Sequence, residues 1–195
     1  MKRILHAAVV LIAGMIVPAS APLAQGPRAL SLDATLGGGY GFGGGELYPR
    51  GGVALDALIG LRIRASGRSA LLAGISAGVQ GPLAFGDVCN IGSRGQCLDD
   101  FPALIPVAAL AGWEGRTGTG TSPGATLRVL VGPSYVRFDG EAQRGRAAGA
   151  QGRVDLATPP LGPVALVASL RGNVVPRFRD QTFGTWAAGL GLRLR

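Results

Sequence analysis

The side chains best suited to chemistry are charged, and they alternate with glycine and small residues. Asp33, Asp56, Arg62, Arg64, Glu114, Arg128, Arg153, Asp155, Arg171 and Arg193 each fall on the polar face of a segment whose other face is apolar. Such charges can pair with one another in an enclosed polar interior, or they can line a narrow passage. Unmatched charge in a confined space is costly, which makes ion pairs and trapped water the first expectation. Arginine outnumbers the carboxylates in this set, so an anion-preferring pore is the alternative.

Hydrolytic or transfer chemistry needs a base, and the chain is poor in bases. His6 is the sole histidine and sits in the N-terminal leader, so Ser76, Ser134 and Ser169 have no imidazole to activate them. Cys89 and Cys97 are too far apart for a C-x-x-C metal or redox motif. Two cysteines in one exported loop predict a disulfide that restrains it. The glycine run 37–45 lacks the G-x-x-x-x-G-K-[ST] pattern of a phosphate loop and suits a tight bend instead. These residues predict no catalytic centre, no metal and no cofactor.

The elements that must position the charges are long alternating segments. In Gly52–Ala65, Val53, Leu55, Ala57, Ile59, Leu61 and Ile63 occupy one face, and Asp56, Arg62 and Arg64 occupy the other. This is too long for an ordinary globular strand and suits a tilted strand crossing a bilayer in about 9–11 residues. The pattern recurs over Ala29–Tyr40, Ala70–Gln80, Leu104–Glu114, Ala125–Phe138, Ala147–Ala157, Val164–Val175 and Thr182–Leu194, which predicts eight strands. The segment at Ala147–Ala157 is the weakest, being short of large apolar residues.

Residues 1–24 carry Lys2 and Arg3, an apolar run from Ala7 to Val17 and small residues at their end, the plan of a signal peptide. Residues 25–195 are then one all-β domain, expected to be an eight-stranded antiparallel up-and-down transmembrane β-barrel. Beyond the leader no apolar run is long enough for a membrane helix, so a membrane location requires a closed barrel. Removing Lys2 and Arg3 lowers the formal charge from +8 to about +6, carried by arginine alone. Nucleic acid is a poor partner for an exported chain.

Connections after the odd-numbered segments include the long 81–103 stretch, whereas those after the even ones are mostly compact and rich in Gly, Ser and Pro. Bacterial barrels have short periplasmic turns and longer outside loops, which places the N-terminus inside. Tyr40, Phe42, Tyr48, Phe85, Phe101, Tyr135, Phe138, Phe178, Phe183 and Trp186 then mark an outer girdle, with Trp113 alone near the inner ends.

Over the whole exported sequence the chain resembles the small eight-stranded outer-membrane barrels of the OmpA-like class. The likeness is architectural, with no signature motif. It implies a location in the outer membrane of a Gram-negative-type bacterium, insertion by the barrel assembly machinery, and a monomeric, non-enzymatic role in structure or surface interaction. Barrels that are enzymes, such as lipid A deacylases and omptin proteases, use a histidine that this chain lacks after its leader. The terminal Gly189-Leu190-Gly191-Leu192-Arg193-Leu194-Arg195 keeps the alternation but departs from the class in having no final aromatic residue.

Arg137, Arg144, Arg146, Arg177 and Arg179 fall near the outer rim beside the aromatic girdle. Guanidinium groups pair bidentately with phosphate, so outer-membrane lipid, including lipopolysaccharide, is the expected partner there. A soluble, lipocalin-like export barrel is the competing class, and it would reverse the two faces.

Overall fold

The computed structural model describes residues 30–43, 51–66, 68–81, 103–117, 124–139, 144–178 and 181–195. The leader and Cys89 and Cys97 lie outside the described residues. Alternation produces eight strands: β1 (Leu30–Gly43), β2 (Gly52–Ser66), β3 (Ser69–Gly81), β4 (Ala103–Arg116), β5 (Thr126–Asp139), β6 (Arg144–Ala157), β7 (Val164–Phe178) and β8 (Gln181–Leu194). Each pairs antiparallel with the next, and β8 returns to β1, closing the barrel. Closure gives every strand two neighbours, which is what lets strands cross a bilayer.

The strands run slightly beyond the alternating segments, and this shortens two connections. One end of the barrel carries the first residue of β1, the last of β8 and the connections 67–68, 117–125 and 158–163. The opposite, long-loop end carries 44–51, 82–102, 140–143 and 179–180. The expected contrast between compact and long connections therefore rests on 82–102, since 44–51 is no longer than 117–125 at the other end. At the other end, Gly162 takes a left-handed φ of 65° in the tight turn closed by Leu161 and Val164.

Each strand turns large apolar side chains outward. Leu36 on β1, Ile75 on β3, Val131 on β5 and Leu190 on β8 are 58%, 61%, 63% and 72% exposed. Charged residues are buried inside instead, the reverse of a water-soluble carrier barrel. The lumen also holds apolar patches. Leu104, Val136, Phe138, Val175 and Phe183 cluster toward the long-loop end, and Leu58, Leu72, Ala108, Leu110 and Leu130 cluster on the β2–β5 wall. Phe138 and Phe183 thus differ from the girdle expected of them: they are buried and meet edge to face at 5.7 Å. Tyr40 and Trp186 do lie outward, 6.3 Å apart on the paired strands β1 and β8.

Glycine permits the closest strand approach at the closing seam. A Cβ on Gly37 would lie 1.8 Å from the Ala188 carbonyl oxygen, and one on Gly191 would lie 1.8 Å from that of Ala34. The β6–β7 ladder behaves differently, running from Ala157↔Val167 only to Ala150↔Val174. Pro176 follows on β7 with no N–H to donate, and the β7–β8 register shifts between Val175 and Phe178. Arg144 to Gly149 consequently pair with β5 alone among the described strands.

Candidate functional site: the lumen and the rim

Asp33 and Arg193 face each other directly across the β1–β8 seam. Arg193 Nε donates to Asp33 Oδ1 at 2.8 Å and Nη2 to Oδ2 at 2.7 Å, a bidentate fork between two fully buried groups. Arg128 on β5 reaches the same carboxylate at 3.2 Å and Ser31 Oγ at 3.0 Å. Arg193 extends the network to Thr126 Oγ1 at 3.0 Å and approaches Asp155 at 3.5 Å.

Glu114, on β4 near the terminal end, gathers further arginines. Its Oε1 accepts from Arg62 Nη2 at 2.6 Å and from Arg116 Nε at 3.2 Å, and its Oε2 accepts from Arg128 Nε at 2.7 Å. Arg195 lies 3.9 Å from Oε2. Burial lowers the Arg195 guanidinium to about 10 despite the opposing pull of Glu114, because Arg193, Arg62 and Arg116 add like charge nearby. Arg116 and Arg195 were absent from the expected lumen set. Each stands two residues from a member of it, Glu114 and Arg193, so extending the alternation past the ends of the segments Leu104–Glu114 and Thr182–Leu194 would have found both.

A second cluster occupies the middle of the barrel. Asp56 on β2 accepts from both Arg153 and Arg171, and Arg153 Nε also donates to Asp155 Oδ1 at 2.8 Å. Ser76 Oγ donates to Asp56 Oδ1 at 3.1 Å and accepts from Gln151 Nε2 at 3.1 Å. A serine beside a carboxylate could suggest a nucleophile and its base. Asp56 already accepts from two guanidiniums, however, and Ser76 is only 1% exposed, so no substrate reaches it. Among the described residues no group of His, Cys, Asp and Glu could hold a metal.

The structure brings nine of the ten expected lumen charges into these clusters. For Arg64, a register shift between Arg62 and Arg64 interrupts the alternation that grouped the two, and its side chain is not among those described. Arg128, Arg153 and Arg193 are at most 1% exposed and fill the bore. Beside the second cluster, Thr35, Ala54, Asp56, Ser169 and Arg171 line a cavity of about 10 Å³, room for roughly one water.

At the rim, Arg137 is exposed and lies 3.4 Å from Asp139, and Arg146 is also exposed. Arg144 and Arg177 belong to β6 and β7, with side chains outside the described set, and Arg179 lies outside it altogether.

Neither a protein-family model nor a curated protein sequence matches the chain. Solved structures do. Neisserial surface protein A aligns with a TM-score of 0.57 at 13% identity, over 85% of this chain and 96% of the other. The chain resembles the small eight-stranded outer-membrane barrels. Ail, the attachment invasion locus protein of Yersinia pestis, aligns at 0.46 and 15% identity over 84% of this chain and 98% of its own. The N-terminal β-barrel domain of Pseudomonas aeruginosa OprF aligns at 0.46 and 16%, over 85% and 96%. At these identities the likeness concerns the fold, and the Neisserial protein carries it.

Proposed function

We propose that the protein is a non-enzymatic outer-membrane barrel of a Gram-negative-type bacterium, structural or surface-interacting, with its long-loop end outside the cell. The observation that carries this reading is the inversion of polarity, with an apolar exterior around a bore closed by buried ion pairs. An exterior of this kind is stable only in lipid, and a bore occupied by Arg128, Arg153 and Arg193, each at most 1% exposed, supports a sealed lumen over an open channel. The pore alternative would need these pairs to part, after which the arginine excess would favour anions. Insertion by the barrel assembly machinery as a monomer belongs to the same reading.

Fractionation and planar-bilayer recording test it together. The protein should sediment with outer membranes, require detergent for release and give no steady conductance. Recovery in the soluble periplasm without detergent would sink the membrane reading, and steady channels would replace the sealed barrel with the pore.

A further inference from the structure

The β5–β6 ladder places Arg137 directly opposite Arg146. Both are exposed, on the face that Tyr135 and Val131 also share. Like charges directly opposite in a ladder destabilise it unless an anion lies between them. Asp139 is the one carboxylate seen near them, 3.4 Å from Arg137, and Arg144 stands opposite Asp139 in the same ladder. No described side chain pairs with Arg146. The patch therefore keeps an excess of positive charge on an outward face.

Its height along the barrel suggests what neutralises it. The next outward row toward the terminal end pairs Tyr135 with Ala148, and a half-exposed tyrosine ring settles at the headgroup level of a bilayer. The arginines stand one row beyond it, about 7 Å along the strand and so about 5 Å further out at a tilt of about 40°, where lipid phosphates lie. Below them, Ala148, Ala150 and Gly152 on β6 present little side chain between Tyr135 and Val174, and a Cβ on Gly152 would meet nothing within 4 Å. An acyl chain can lie along that strip. The β6 backbone from Arg144 to Gly149 has no ladder partner among the described residues of β7.

We propose that Arg137 and Arg146 form a two-guanidinium clamp for the phosphate of an outer-leaflet lipid whose acyl chain lies over Ala148, Ala150 and Gly152. This rests on the membrane reading above. Two planar forks can grip one phosphate through several charge-assisted hydrogen bonds, which lysines, as point charges, reproduce only in part.

The test uses the full chain purified from outer membranes and placed in phosphatidylcholine nanodiscs doped with lipid A, either bisphosphorylated or dephosphorylated. Native mass spectrometry reads the lipid retained. The wild type should retain the bisphosphorylated form and release it at high salt. R137Q/R146Q should lower retention by at least about tenfold, the change that ~1.4 kcal/mol produces. R137K/R146K should fall between, and R68Q, in the exposed turn at the opposite end, should match wild type. Heat-modifiable migration on gels confirms that each variant is folded. Equal retention by folded R137Q/R146Q, or equal binding of dephosphorylated lipid A, would overturn the clamp. So would displacement of the lipid by inorganic phosphate at matched concentration, which would mark a simple anion site. Steady conductance would count against the sealed lumen and leave the clamp standing.

Discussion

Replacing Asp33 with Asn removes the charge at the centre of the closing seam while nearly keeping its shape. Two buried guanidiniums, those of Arg193 and Arg128, would lose their carboxylate. An asparagine offers one acceptor oxygen where Arg193 now uses two, and its amide nitrogen would point a donor at a donor. Removing one partner of a buried pair costs about 3–5 kcal/mol, because the other charge stays desolvated. Arg128 keeps Glu114 at 2.7 Å and Arg193 keeps Thr126 at 3.0 Å, which argues for the lower half of that range. Urea unfolding in phosphatidylcholine vesicles, followed by the fluorescence of Trp113 and Trp186, measures it. A cycle with Arg193→Gln isolates the pair, and the double variant should cost clearly less than the sum of the singles. A cost below about 1 kcal/mol for Asp33→Asn, as for an exposed pair, would refute the argument, and so would simple additivity.

Gly191→Ala puts a methyl against the Ala34 carbonyl at the same seam, where backbone and not a flexible side chain must move. We expect loss of the heat-modifiable folded form, and a wild-type yield would show that the seam can open. Cys89 and Cys97, outside the described residues, are expected to form a disulfide that stabilises the barrel by about 2–3 kcal/mol in the chain-entropy model. Mass spectrometry without reduction should find no free thiol in protein from the outer membrane, and two free thiols would defeat the expectation.

Strand number, strand order and the two faces were legible in the sequence because a period of two is a backbone property that each strand displays unaided. Even β6 is a full strand, although its outward set beyond the terminal half shrinks to Ala148, Ala150 and Gly152; pairing with β5 from Thr126↔Ala157 to Asp139↔Arg144 supplies what its composition lacks. The lumen charges were legible as a set but not as pairs. Asp33 meets Arg193 across 160 positions and Arg128 across 95, distances that only the barrel's closure brings together. Phe138 and Phe183 were misplaced by reasoning from their position near strand ends. Parity held the answer, since Phe138 alternates in step with Arg128, and Phe183 with Arg193. The shift at Arg62/Arg64 left no comparable mark, because a bulge inserts a residue without changing the type of its neighbours.

The β1–β8 seam poses a problem that the other ladders do not share. Consecutive strands are held in register by the turn that joins them, but β1 and β8 are joined by none and must find their register from side chains alone. A slip of one residue would invert the faces of one of the two strands and turn Asp33 or Arg193 into lipid, where unsatisfied charge is far more costly than in the lumen. The same slip would move Gly37 and Gly191 away from the carbonyls that approach them and put residues with a Cβ in their place. The bidentate pair and the two glycines therefore specify one closure out of several that an alternating apolar pattern would permit. On this argument the buried charges of the seam contribute register more than stability, which is why the Asp33–Arg193 cycle should be read for misassembled barrel as well as for free energy. Replacing the pair by Leu and Met, apolar residues of similar size, should leave the folded fraction nearly as stable while lowering the yield of correctly closed barrel.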